Sequence, residues 1–129
     1  MNLKASKCLL IVLFVLSTIP SSADSWTDSG NYDTSWYDDL SESFDISTAE
    51  QLAGWVYLNN NGTSFEGKTL NLTADIDLSG HTWTMVSTFY GSFNGNFHVV
   101  SGLNYNKTSS EEDATYGAFI NRCYGALKI

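Results

Sequence analysis

The chain has 129 residues, and its 14 acidic side chains outnumber six lysines and arginines, giving a net charge of −8. That balance excludes a nucleic-acid-binding role, because affinity for DNA or RNA rests on cations meeting phosphates. An acidic, solvated extracellular surface fits it better.

The chain begins with Lys4 and Lys7, then an apolar run over residues 8–16, then Pro20 and the small residues Ser21 and Ala23. This is the pattern of a secretory signal peptide over residues 1–23, cleaved between Ala23 and Asp24. The apolar run is far short of the roughly 20 residues that a bilayer span needs. The expected product is therefore secreted or displayed on the cell surface, with no membrane span after cleavage. Cleavage removes Lys4 and Lys7 and leaves four cations against 14 acidic residues, a net charge of −10. It also removes Cys8. Cys123 then stands alone, without an internal disulfide, and reads as a small buried apolar side chain.

Residues 24–45 form an acidic leader that mixes acids, Ser, Gly and aromatics. Trp26, Tyr32, Trp36 and Tyr37 are too many rings for a disordered linker. Little regular structure is expected, with the rings packing back onto the domain. Trp36 and Tyr37 are the candidates for stacking on a ligand.

A helix is predicted over about 48–60. Ser47 and Glu50, three residues apart, make a capping box: the hydroxyl accepts from an orphan helix N–H and the carboxylate reaches back. Leu52, Trp55, Val56 and Tyr57 follow at helical spacing. Asn59-Asn60-Asn61-Gly62 ends the helix, with Gly62 free to turn left-handed.

From Phe65 onward the period is two. Leu70 and Leu72 share one face, and Ile76 and Leu78 alternate with Asp75 and Asp77. Trp83, Met85, Val86 and Phe89 continue the apolar content. Phe93 precedes the turn signal Asn94-Gly95-Asn96, and residues 97–105 read as a further strand region. Residues 106–114 form a polar loop. Residues 116–120 make a short apolar strand, and residues 125–129 begin another. The class is mostly β with one helix, and a sandwich, a barrel and a β-solenoid all fit short strands so punctuated.

Several of these runs together resemble the GLUG-motif surface proteins of Bacteroidetes and other gut bacteria. They are residues 33–54 (from Asp33-Thr34-Ser35-Trp36-Tyr37 to Gln51-Leu52-Ala53-Gly54), residues 65–78, residues 93–103, and Tyr116-Gly117-Ala118-Phe119-Ile120. The resemblance covers roughly residues 33–129. It implies a right-handed parallel β-helix whose N-terminal end is covered by the helix at 48–60, so that residues 46–129 hold the capping helix and the first coils. It also implies an adhesin-like or structural binding role, with host glycans or surface proteins as partners. The last residues are apolar and strand-like, as in a β-helix cut short, and self-association through an open C-terminal coil is expected. A truncated, inactive start of a larger β-helix carbohydrate-active enzyme or IgA-protease-like protein is the alternative. A small carbohydrate-binding module is a third.

No catalytic constellation is legible, and a non-enzymatic protein without cofactor or metal is expected. Asp75 and Asp77 share a strand face, as the paired carboxylates of a glycosidase can, but an outward polar, inward apolar strand explains them. His81 and His98 lack the partner spacing of a zinc site. No G-x-S-x-G elbow occurs.

Overall fold

The computed structural model describes residues 24–105, 119–125 and 127–128. The segment 1–23, its cleavage site at Ala23, the loop after residue 105 and the strand expected at 116–118 lie outside them.

Eight short strands and one helix make up the described fold: β1 (Ser43–Ile46), α1 (Ala49–Asn60), β2 (Thr69–Leu72), β3 (Ile76–Asp77), β4 (Val86–Phe89), β5 (Ser92–Asn94), β6 (Val100–Ser101), β7 (Ile120–Cys123) and β8 (Leu127–Lys128). Every strand pair is parallel. The strands fall into three sheets, ordered β1-β2-β5-β8, β3-β6 and β4-β7. The chain visits these in turn through β2, β3 and β4, then visits them again in the same order through β5, β6 and β7.

Register follows from the period-two pattern. Phe44, Leu70 and Phe93 lie opposite one another on β1, β2 and β5, and all three are buried. Ile76 faces Val100, and Val86 faces Ile120, again as buried pairs. Polar residues take the alternate positions: Asn71 pairs with Asn94, and the Asn94 side-chain amide donates to Asn71 Oδ1 at 3.4 Å. Stacking like on like leaves an interior with no buried polar or charged side chain among the described residues. Each buried Leu, Ile or Phe contributes roughly 1.5–3 kcal/mol by leaving water.

The helix begins one residue later than the Ser47–Glu50 box implies. Thr48 is the N-cap, and its hydroxyl accepts from Gln51 N at 3.2 Å. Gln51 Oε1 reaches back to Ser47 N at 2.9 Å. The Thr48-x-x-Gln51 spacing satisfies the same rule, and it wins because Ile46, at the end of β1, holds the chain extended up to Ser47. Leu52, Ala53, Trp55 and Val56 face the core.

The leader is a layer of the domain. Trp26 is in the core and its indole N–H donates to Leu78 O at 3.0 Å. Ser25 and Thr82 form a short parallel bridge through Trp26 N–Thr82 O and Thr82 N–Asp24 O, each 2.9 Å. Tyr32 stacks on Tyr57 with centroids 4.2 Å apart, and Asp33 N donates to Glu50 O at 2.9 Å. The leader's last residues also enter β1, so the boundary at residue 45 falls inside a strand. The strand region expected at 97–105 shrinks to β6, because Asn96 and Phe97 turn left-handed (φ 50° and 62°) and Gly102 does so at 67°.

Candidate functional site

Asp75 and Asp77 do not converge on a reaction centre. Asp75 Oδ1 accepts from Val99 N at 2.9 Å and lies 3.1 Å from His98 Nδ1. The Val99 N–H, then the His98 contact, hold the Asp75 carboxyl below its usual range. Asp77 Oδ1 accepts from Ser79 N at 2.9 Å, closing an Asx turn. Both carboxylates fasten backbone, Asp75 that of Val99 just before β6 and Asp77 that of its own turn. His81 lies edge-on to Trp26, with centroids 4.6 Å apart. Among the described residues no three His, Cys, Asp or Glu side chains are grouped to hold a metal, and no helix is long and apolar enough to cross a membrane. Cys123 is a half-buried thiol against the core.

Trp36 and Tyr37 are half-buried, and their rings are used in packing. Trp36 meets Phe44 edge-on at 5.2 Å and its indole donates to Asp33 O at 2.8 Å. Tyr37 stacks on Phe44 at 5.4 Å, and the Lys68 ammonium lies 5.7 Å from its centroid. Burial first, then the hydrogen bond to Asp39, pushes the Tyr37 hydroxyl above its ordinary pKa. Lys68 Nζ is itself anchored on Asp39 O and Ser41 O. These two rings lock the leader to β1 and offer little free face.

A different pair is exposed. Tyr90 follows β4 and Tyr124 follows β7, and they keep 55% and 63% of their surface in solvent. Their rings are stacked, 5.2 Å between centroids and 12° from parallel. The stack arises from register: β4 and β7 pair up to Phe89 and Cys123, and Tyr124 N then donates to Phe89 O at 2.8 Å. A glycine follows each tyrosine. A Cβ on Gly125 would stand 1.6 Å from Gly91 O, and one on Gly91 would stand 2.8 Å from Phe65 O. Only glycine lets the backbone pass this closely.

Tyr90 also lines a groove of about 210 Å3 with Asn59, Gly62, Thr63, Ser64, Phe65 and Thr88. None of these side chains is charged. Asn59 Nδ2 donates to Thr88 O at 2.9 Å, fixing the helix end against β4. Thr63 and Ser64 bring hydroxyls, and Phe65 is buried beneath. The sequence does not announce the tyrosine pair, although Tyr90-Gly91 recurs as Tyr124-Gly125 just beyond two strands.

No protein-family model, no curated protein and no solved structure matches the chain.

Proposed function

We propose that the chain is an exported segment of a right-handed parallel β-helix, acting without catalysis as an adhesin-like or structural binding surface. The observation that carries this reading is the return of the parallel ladders in one order: β2, β3 and β4 occupy three sheets in sequence, β5, β6 and β7 follow the same path, and β8 comes back to the first. A chain wound in this way stacks each round on the last and presents repeated outward columns suited to contact over a wide surface. Parallel crossovers are almost always right-handed, which supplies the hand. The leader, β1 and α1 lie along the first round, where a bare edge would otherwise invite pairing, and this supports a capping role for them. The resemblance to GLUG-motif surface proteins points the same way, and residues 1–23 supply an export route.

Expression of the full chain in a bacterial host, followed by fractionation and mass spectrometry, tests the reading. The expected product begins at Asp24, lies outside the cytoplasm and releases no reducing ends from a polysaccharide panel. An uncleaved cytoplasmic chain, or turnover of any polysaccharide, overturns it.

A further inference from the structure

We propose that Tyr90, Tyr124 and the groove beside them form a binding site for a neutral sugar ring of a glycan. This deepens the binding-surface reading above and rests on it.

Three observations converge on that chemistry. Two large rings remain mostly in solvent although the neighbouring Phe65, Phe89 and Phe93 are fully buried. They are stacked within 12° of parallel, and the close-packed Gly91 and Gly125 pin the backbone directly after each one. The platform is thus built before any ligand arrives, and the ordering cost of binding falls. An aromatic ring carries negative charge on its face. The C–H face of a pyranose presents weakly positive hydrogens and fits such a surface, while its rim of hydroxyls asks for donors and acceptors.

The groove supplies them. Asn59, Thr63 and Ser64 offer an amide carbonyl and two hydroxyls next to Tyr90. No charged side chain lines the groove, and the whole chain carries −8. A phosphate, sulfate or uronate would meet no cation there and would be repelled at long range. No carboxylate lines the groove to pair a cation either, so a neutral ligand fits it best. The volume of about 210 Å3 lies below the roughly 300–1,000 Å3 of sites that enclose a drug-sized molecule. One ring seats there, and the rest of the chain runs outward over the strand columns.

The test titrates the full exported chain with soluble neutral oligosaccharides (gluco-, manno- and galacto-configured) and with uronic-acid oligomers, by calorimetry and by NMR of the tyrosine side chains. At least one neutral oligosaccharide is expected to bind, and its affinity to change little with salt. Tyr90→Ala and Tyr124→Ala are each expected to weaken it about tenfold or more, Tyr90→Phe to stay within about threefold because the ring face persists, and Trp36→Ala to leave it unchanged. Thermal melts show whether the variants fold, and Thr63→Ala, in the groove lining, provides a second reading of the site with an expected loss of about threefold or more. Binding that survives Tyr90→Ala in a folded chain overturns the proposal. So does binding of uronic-acid oligomers alone, or of no sugar at all. A chain that is cleaved at Asp24 and exported yet indifferent to sugars overturns this site and leaves the binding-surface reading standing.

Discussion

Gly54 sits in the middle of α1, where glycine costs about 1 kcal/mol relative to alanine. A propensity argument therefore favours Gly54→Ala. The packing reverses the sign. A Cβ there would come 1.9 Å from Asp33 O and 2.7 Å from its carbonyl carbon. That backbone cannot swing aside easily, because Asp33 N donates to Glu50 O and Tyr32 is stacked on Tyr57. Overpacking of this kind costs about 1–3 kcal/mol. Gly54→Ala is expected to lower stability by about 1–2 kcal/mol net, seen as a lower urea midpoint. It should also loosen the leader, seen as faster proteolysis within residues 24–42. A raised midpoint would show that the leader does not clamp the helix. Phe97 is a smaller puzzle of the same kind: a bulky residue at φ 62°, 80% exposed, in a place that glycine takes at less strain.

At the level of elements, α1 takes the place of a strand. β4 pairs with β7 on one side, and the end of the helix lies on the other. The Asn60 side chain acts there as a peptide group: its Nδ2 donates to Met85 O at 2.9 Å and its Oδ1 accepts from Ser87 N at 3.0 Å. Asn60→Ala removes both bonds from an exposed position, so water partly replaces them and the expected loss is about 0.5–1.5 kcal/mol. Amide exchange at Ser87 should speed up in that variant while exchange in β2 stays slow; equal protection at Ser87 would disprove the mimicry. Nothing in the sequence announces this use of Asn60, because an Asn-rich stretch after a helical pattern reads as a terminator. The helix itself and the alternation at Leu70 and Leu72 were legible, since both depend on local spacing. β1 was not. It has only four residues, with Phe44 and Ile46 as its buried pair, and it gains its identity from pairing with β2 across the whole helix. The stacked tyrosines were hidden for the same reason: register, a long-range property, sets Tyr124 against Tyr90.

Across the whole molecule, the acids do two opposed things. All 14 carboxylates add to a net charge of −8 that repels itself and favours expansion at low salt. Several are also tied to backbone, and three of these are Asp33, to Ser35 N at 2.8 Å, Asp38, to Ser41 N and Leu40 N, and Asp75, to Val99 N. The pKa of each is lowered, with Ser35 the main cause for Asp33, Ser41 for Asp38 and Val99 for Asp75. A carboxyl whose folded pKa is depressed contributes stability that is fully present above its unfolded pKa and is lost as pH falls through the folded value. The unfolded value is 3.8 for all three, so the melting temperature is expected to change little between pH 7 and about 5 and to fall as the pH drops below about 4. Protonation of the remaining acids relieves repulsion over the same window and works against this fall, and added salt weakens that relief by screening the charges beforehand. The decline should therefore be steeper in high salt than in low salt. Asp75→Asn keeps an acceptor for Val99 N but no longer titrates, so its acid limb should be shallower than that of the parent chain. A melting temperature that rises steadily down to pH 2, or an Asp75→Asn variant with the parent's slope, would show that these tethered carboxylates do not govern the acid response.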